Sequence, residues 1–298
     1  MNYQEFQTAI ISYMQDRLDS ECEIRICPVM RNNNVTLDGL YVTRPGCNLS
    51  ASIYLNPFYH RYLNGLPLEE IQENIYQIYS NKSPMEDFPI ADFKDYTKVR
   101  NQITMRLISF EKNQAMLEKI PHKKYLDMAI IYSCRVTLKG AGDGDIKITN
   151  DLMRLWGIDT EELDRDARRN APTLNPYKVY PIIDYLKEHV PTWLNSTLDE
   201  ELCFEPMYIL TNQEQCYGAS VLLYEDLLRQ ISEDFESDLL IIPSSVHELI
   251  FLPYCSLLSI EEMTELIQSV NETVLAEEEV LSDHAYLYRY EGQCLECA

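Results

Sequence analysis

The sequence predicts an α+β protein, mainly antiparallel strands with several flanking helices. Three observations lead there. Apolar residues recur at helical spacing in some segments and alternate in others. Strand-like runs come in hairpin-like pairs rather than in regular strand–helix–strand alternation. Glycine is scarce, 9 in 298 residues, while 46% of the residues are hydrophobic, which favours a packed molecule over a disordered or fibrous one. That length suits one large or two medium domains. We expect two closely packed lobes: an N-terminal α+β lobe over 1–81, a connection over 82–95, and a C-terminal α+β lobe over 96–298.

The first segment carries Phe6, Ala9, Ile10, Tyr13, Met14 and Leu18 on one face, an amphipathic helix. "CEIRICPVMRN" alternates through Ile24, Ile26 and Val29 as a strand, and Asn32–Asn34 and Asp38-Gly39 are turn signals. Residues 49–58 read as another strand, followed by a helix with Leu68, Ile71, Ile75 and Ile78 on one side. The proline- and acid-rich stretch over 82–95 is the connection. "YTKVRNQITMRLISFEKNQAML" reads as one long helix over 96–117. Strands over 126–138 and 146–148 pair across the loop "KGAGDGD". Two helices then flank Gly157, with Asp159 capping the second and Glu162 three residues on.

Further along, "MYIL", "DLLIIP" and "ELIFLP" are buried strands, and a helix ends near Ile231. The last helix turns Met263, Leu266, Ile267 and Val270 inward, and "HAYLYRYEG" reads as an edge strand. Three segments share the order strand, Asn, Gly, helix, around Asn56/Gly65, Asn150/Gly157 and Asn212/Gly218. Local preferences of Asn at strand ends and Gly at helix ends account for the third and for much of the others; otherwise they mark an internal repeat.

Charge narrows the function classes. Acids outnumber bases 48 to 25, a formal charge of −23. Such a chain repels phosphates and anionic lipid, so no direct nucleic-acid binding is expected. The basic stretches "PHKK" and "RDARR" are short and flanked by acids. The opening segment lacks a basic n-region and no apolar run spans a bilayer, so a cytoplasmic protein is expected. Of 9 cysteines, Cys294 and Cys297 form the one CxxC pair. A structural zinc site needs a second pair, and Cys22 and Cys27 have the wrong spacing, so no metal is expected. The glycine loop lacks the Walker lysine and the GxGxxG spacing, and no other cofactor signature is present.

"ITNDLMRLWGIDTEELDRDARRNAP", "MYILTNQEQCYGASVLLYEDLL" and "IIPSSVHELIFLP", with "PHKKYLDMAIIY" and "VLSDHAYLY", resemble a family of cytoplasmic proteins from Gram-positive gut bacteria that is a domain of unknown function. The resemblance covers nearly the full chain. It implies a bacterial cytoplasmic accessory protein and brings no activity, cofactor or catalytic residue.

Two places offer site chemistry. "SSVHE" supplies Ser245, His247 and Glu248 as nucleophile, base and orienter, with Ser244 beside them. Five neighbouring residues cannot easily form a triad, and there is no GxSxG elbow. Ser245 and Glu248 also fit a capping box, which makes the stretch a polar corner between buried segments. The second place is the turn with Asn212, Tyr217 and Gly218, a ligand-binding candidate beside that corner. The leading expectation is a non-enzymatic interaction or regulatory protein whose acidic surface meets a basic protein partner. The alternatives are a hydrolase using the corner over 244–248 and an acidic nucleic-acid mimic.

Overall fold

The computed structural model describes residues 1–46, 48, 52–81, 88–138, 142–189, 206–254 and 259–298. Two compact units emerge, residues 1–95 with 135–145 and residues 96–134 with 146–298. The expected connection over 82–95 lies partly outside the described residues.

In the first unit, α1 (Tyr3–Gln15) starts at Asn2, whose side chain accepts from the Glu5 N–H while the Glu5 carboxylate accepts from the Asn2 N–H, a full capping box. Phe6, Ile10 and Met14 are its buried stripe. It packs with α2 (Asn56–Leu63) and α3 (Leu68–Asn81) around Leu40, Leu55, Ile71 and Ile75. The sheet is antiparallel, ordered β1 (Glu23–Met30), β2 (Thr36–Thr43), β3 (Ser52–Tyr54). Asp38-Gly39 is no turn: Gly39 sits inside β2, opposite Cys27 and Tyr54. A Cβ there would lie 2.7 Å from Ser52 Oγ, so the missing side chain lets the neighbouring strand approach. The strand expected over 49–58 shrinks to β3, with 49–51 outside the described residues.

The second unit departs furthest from the pattern of its sequence. Residues 96–117 do not form one helix. In chain order α4 (Ile90–Phe93) and α5 (Tyr96–Val99) precede β4 (Ile103–Ser109), which is buried at six of its seven positions, and α6 (Gln114–Leu117) follows it. A short, almost continuous apolar run cannot be assigned to helix or strand by its period alone. β4 pairs with β6 (Met128–Leu138), which also pairs with β5 (His122–Tyr125) and β7 (Gly142–Lys147). Leu126, expected in a strand, instead turns between β5 and β6 with φ 56°. The strand after the glycine loop begins at Gly142, earlier than expected; Gly140 lies outside the described residues.

α7 (Asn150–Trp156) ends on left-handed Gly157, and Asp159 caps α8 (Thr160–Leu174) by accepting from the Glu162 N–H at 2.8 Å. α8 closes over β4, where Asn170 Nδ2 donates to the Ile103 carbonyl at 3.1 Å and Asn175 Nδ2 to Thr104 Oγ1 at 2.8 Å.

A six-stranded antiparallel sheet carries the rest. Its order is β13 (Cys294–Cys297), β12 (Tyr286–Arg289), β10 (Leu239–Pro243), β11 (Leu249–Pro253), β9 (Tyr208–Asn212), β8 (Tyr177–Pro181). The tail strand β12 is therefore an interior strand with Tyr286, Leu287 and Tyr288 buried, and β13 takes the edge. The helix Ile260–Thr273, capped by Ser259, buries Ile267 alone; Leu266 is 56% and Val270 37% exposed, contrary to the inward face expected. The repeat is not shown. Gly65 and Gly157 both adopt positive φ after a short helix, whereas Gly218 does not and is fixed by packing instead.

Candidate functional site

The β10–β11 register pairs Pro243 with Leu249, so Ser244–Glu248 form a five-residue corner. Apolar side chains bury both strands, and a proline closes each of them. Within the corner the Ser245 N–H donates to the Glu248 carbonyl at 3.1 Å, and the His247 N–H donates to Ser245 Oγ at 3.0 Å. Ser244 Oγ donates to Glu248 Oε1 at 3.4 Å. The capping-box pattern of Ser245 and Glu248 closes a hydroxyl-stabilised turn, from which the chain re-enters a strand at Leu249.

β9 lies beside β11, which brings the turn after Asn212 to the same end of the sheet. Asn212 closes that turn on Cys216, Oδ1 accepting from its N–H at 3.1 Å and Nδ2 donating to its carbonyl at 2.8 Å. Tyr217 follows in left-handed geometry, φ 49°. Its N–H donates to His247 Nδ1 at 3.1 Å, and the two rings lie 5.5 Å apart. Thr211 Oγ1 donates to the His247 carbonyl at 2.7 Å. Gly218 completes the junction, since a Cβ there would strike Thr211 Oγ1 and the His247 carbonyl and come within 2.7 Å of the Asn212 nitrogen. The Arg106 guanidinium sits 4.1 Å from the Tyr217 ring centroid.

All seven residues singled out in the sequence therefore gather at one end of the sheet. Their chemistry is that of a latch. An Nδ1 that accepts a backbone hydrogen bond carries no proton, so it cannot also take one from a serine. Neither Ser244 nor Ser245 hydrogen-bonds to the imidazole; Nε2 faces Glu279 Oε1 at 3.9 Å. Among the described residues no group of three or more His, Cys, Asp or Glu could hold a metal.

Lys123, Arg168 and Arg169 of the basic stretches pair with acids inside the protein. Lys123 Nζ donates to Glu161 at 2.6 Å and to Asp164 at 3.0 Å, and Asp164 also accepts from Tyr132 at 2.9 Å and Arg168 at 3.0 Å. Asp166 accepts from Tyr96 at 2.7 Å and Arg100 at 3.1 Å, and pairs with Arg169 at 2.8 Å. Burial pushes both carboxyl pKa values up, but these donors outweigh it and hold both below the usual aspartate range. Burial, reinforced by the adjacent carboxylates, raises the pKa values of Tyr96 and Tyr132.

Two concavities escaped sequence reasoning, since their walls come from segments far apart in the chain. One is a polar cavity of about 270 Å3 with Tyr125, Arg168, Asp226, Arg229, Tyr288 and Gln293 in its wall. The other is an apolar groove of about 260 Å3 between the helix Ile260–Thr273 and the sheet, floored by Ile242 and Ile250 and flanked by Met207, Met263, Leu266 and Val270. No helix among the described residues is long and apolar enough to cross a membrane.

An α+β fold on antiparallel sheets, with a latched turn and two open concavities, defines the molecule's class. The chain belongs to a family of unknown function, DUF5688, whose model matches residues 3–290. No curated protein and no solved structure matches it.

Proposed function

We propose that the protein is a non-enzymatic interaction protein of the bacterial cytoplasm that holds a basic amphipathic segment of a partner in the apolar groove. One observation carries the reading. The groove's helix leaves Leu266 56% and Val270 37% exposed beside Met263, while the same helix bears Glu261, Glu262, Glu265 and Glu272 and no Lys or Arg. None of these carboxylates lines the groove, and helical spacing sets Glu261, Glu265 and Glu272 on the face away from it, so an exposed apolar surface on an otherwise acidic helix fits a segment with apolar anchors and basic flanks that reach past the groove. Methionines adapt to differing anchors. Filling the groove with one large side chain contributes roughly 2 kcal/mol, and the acidic helix adds a salt-sensitive attraction. Cys22 and Cys216, thiols outside any disulfide, suit a reducing compartment. The hydrolase alternative lacks comparable support, because the corner makes no serine–imidazole hydrogen bond.

The test is a titration of the full chain with a synthetic Leu/Lys amphipathic helix and with its Leu/Glu counterpart. The proposal expects saturable binding of the Lys peptide only, weakened about tenfold or more by Leu266→Asp with Val270→Asp. Both positions are exposed, so an unchanged melting temperature verifies the fold. Equal binding of the two peptides, indifference to the substitutions, or a self-association that the substitutions abolish would overturn it, the last assigning the groove to a second copy.

A further inference from the structure

We propose that the polar cavity between β5, α8, the helix Leu227–Phe235 and the β12–β13 hairpin binds a small molecule through a carboxylate or phosphate oxyanion. The cavity holds about 270 Å3, room for a compact metabolite.

Its wall supplies hydrogen-bond donors that the protein leaves unused. Arg168 spends Nε on Asp164 and Nη1 on the Leu223 carbonyl. Arg229 spends Nε on Asp226 at 3.0 Å and Nη1 on Glu233 at 2.8 Å. Nη2 of each guanidinium makes no hydrogen bond among the described residues. The hydroxyls of Tyr125 and Tyr288 make none there either, although Tyr288 is 6% exposed.

The phenols and guanidiniums are matched. Tyr125 lies within electrostatic reach of Arg168, and Tyr288 of Arg229. Burial raises both phenol pKa values, the nearby arginine pulling each back only in part, so both stay protonated and donate at neutral pH. Four idle donors around one void complement an oxyanion, which accepts on every lone pair. Arg229 is shared between Asp226 and Glu233, so the site's affinity for an oxyanion rests on the four unused hydrogen-bond donors rather than on net charge. Leu222, Leu228 and Leu295 supply an apolar side for the ligand's body. No group on the Ile260–Thr273 helix lines this cavity, so it is independent of the groove.

The experiment is calorimetric titration of the full chain with sodium phosphate and with sodium benzoate, against sodium chloride at matched ionic strength. Saturable binding of at least one oxyanion, with none of chloride, is expected. Phosphate preferred points to a phosphate-bearing ligand and benzoate preferred to a carboxylate-bearing one. Tyr125→Phe and Tyr288→Phe remove hydroxyls that bond to nothing in the protein. Each should keep the melting temperature and weaken binding about fivefold, the worth of one hydrogen bond. Failure of both oxyanions to bind, or Phe variants that bind like the parent chain, would overturn the proposal.

Discussion

The backbone N–H of Tyr217 donates to Nδ1 of His247 across 3.1 Å, joining the turn after β9 to the corner after β10. Because Tyr217 holds φ at 49°, its amide points at the imidazole instead of along a strand. The junction is a fastening between two loops. Replacing His247 with Ala should leave the Tyr217 N–H without its acceptor and destabilise the chain by roughly 1–3 kcal/mol. Urea unfolding measures this, and an unchanged midpoint would contradict the latch.

Gly218 and Gly157 should respond differently to alanine. At Gly218 the new methyl meets Thr211 Oγ1, the His247 carbonyl and the Asn212 nitrogen, two of them backbone. Backbone cannot step aside, so a loss of roughly 3 kcal/mol or more is expected. At Gly157 nothing lies within 4 Å, and the cost is that of φ +69° for an L residue, about 1 kcal/mol. Thermal or urea unfolding of the two variants gives the order; a larger loss at Gly157 would refute it.

Acid should unfold the second unit through α8. Asp164 and Asp166 have pKa values lowered in the folded protein. Their stabilisation is therefore present above the unfolded aspartate value, about 3.9, and is lost as pH falls through the lower folded values. Stability measured by urea titration should drop steeply below about pH 4. Asp166→Asn should flatten that drop while lowering stability at neutral pH, since Tyr96, Arg100 and Arg169 lose a carboxylate partner. An unaltered acid limb in the variant would argue against this role.

Cys294 and Cys297 should not form a disulfide with each other. They sit three residues apart on β13, so their side chains leave opposite faces and their Cα atoms are about 10 Å apart. A bridge requires less than ~7 Å. Burial, with Asp127 nearby, raises the Cys297 pKa and so weakens it as a nucleophile. Mass spectrometry after glutathione oxidation should find mixed disulfides and no internal bridge.

What the sequence revealed was local. Two five-residue apolar runs, each closed by proline, define the β10–β11 hairpin without reference to anything else. Asp159 and Gly157 mark helix ends by their own side-chain chemistry. β4 was illegible because "ITMRLIS" is buried on both faces, which removes the alternation that distinguishes a strand. The charges of "LDRDARR" look like a solvated helix face; only the docking of α8 on β4 buries Asp164 and Asp166. The turn over 212–218 and the corner over 244–248 were each readable as polar ends of buried strands, but their adjacency depends on the β11–β9 pairing. The polar cavity draws on residues from Tyr125 to Leu295 and leaves no local signal.

The groove can be tested directly through its methionines. Of the 10 in the chain, Met207 and Met263 line it. With 13C-methyl-methionine labelling, titration of the Leu/Lys peptide should shift the Met207 and Met263 methyl signals and leave the buried Met14 and Met105 signals in place. Shifts confined to other methionines, or none at a peptide concentration that saturates binding, would contradict a partner-binding groove.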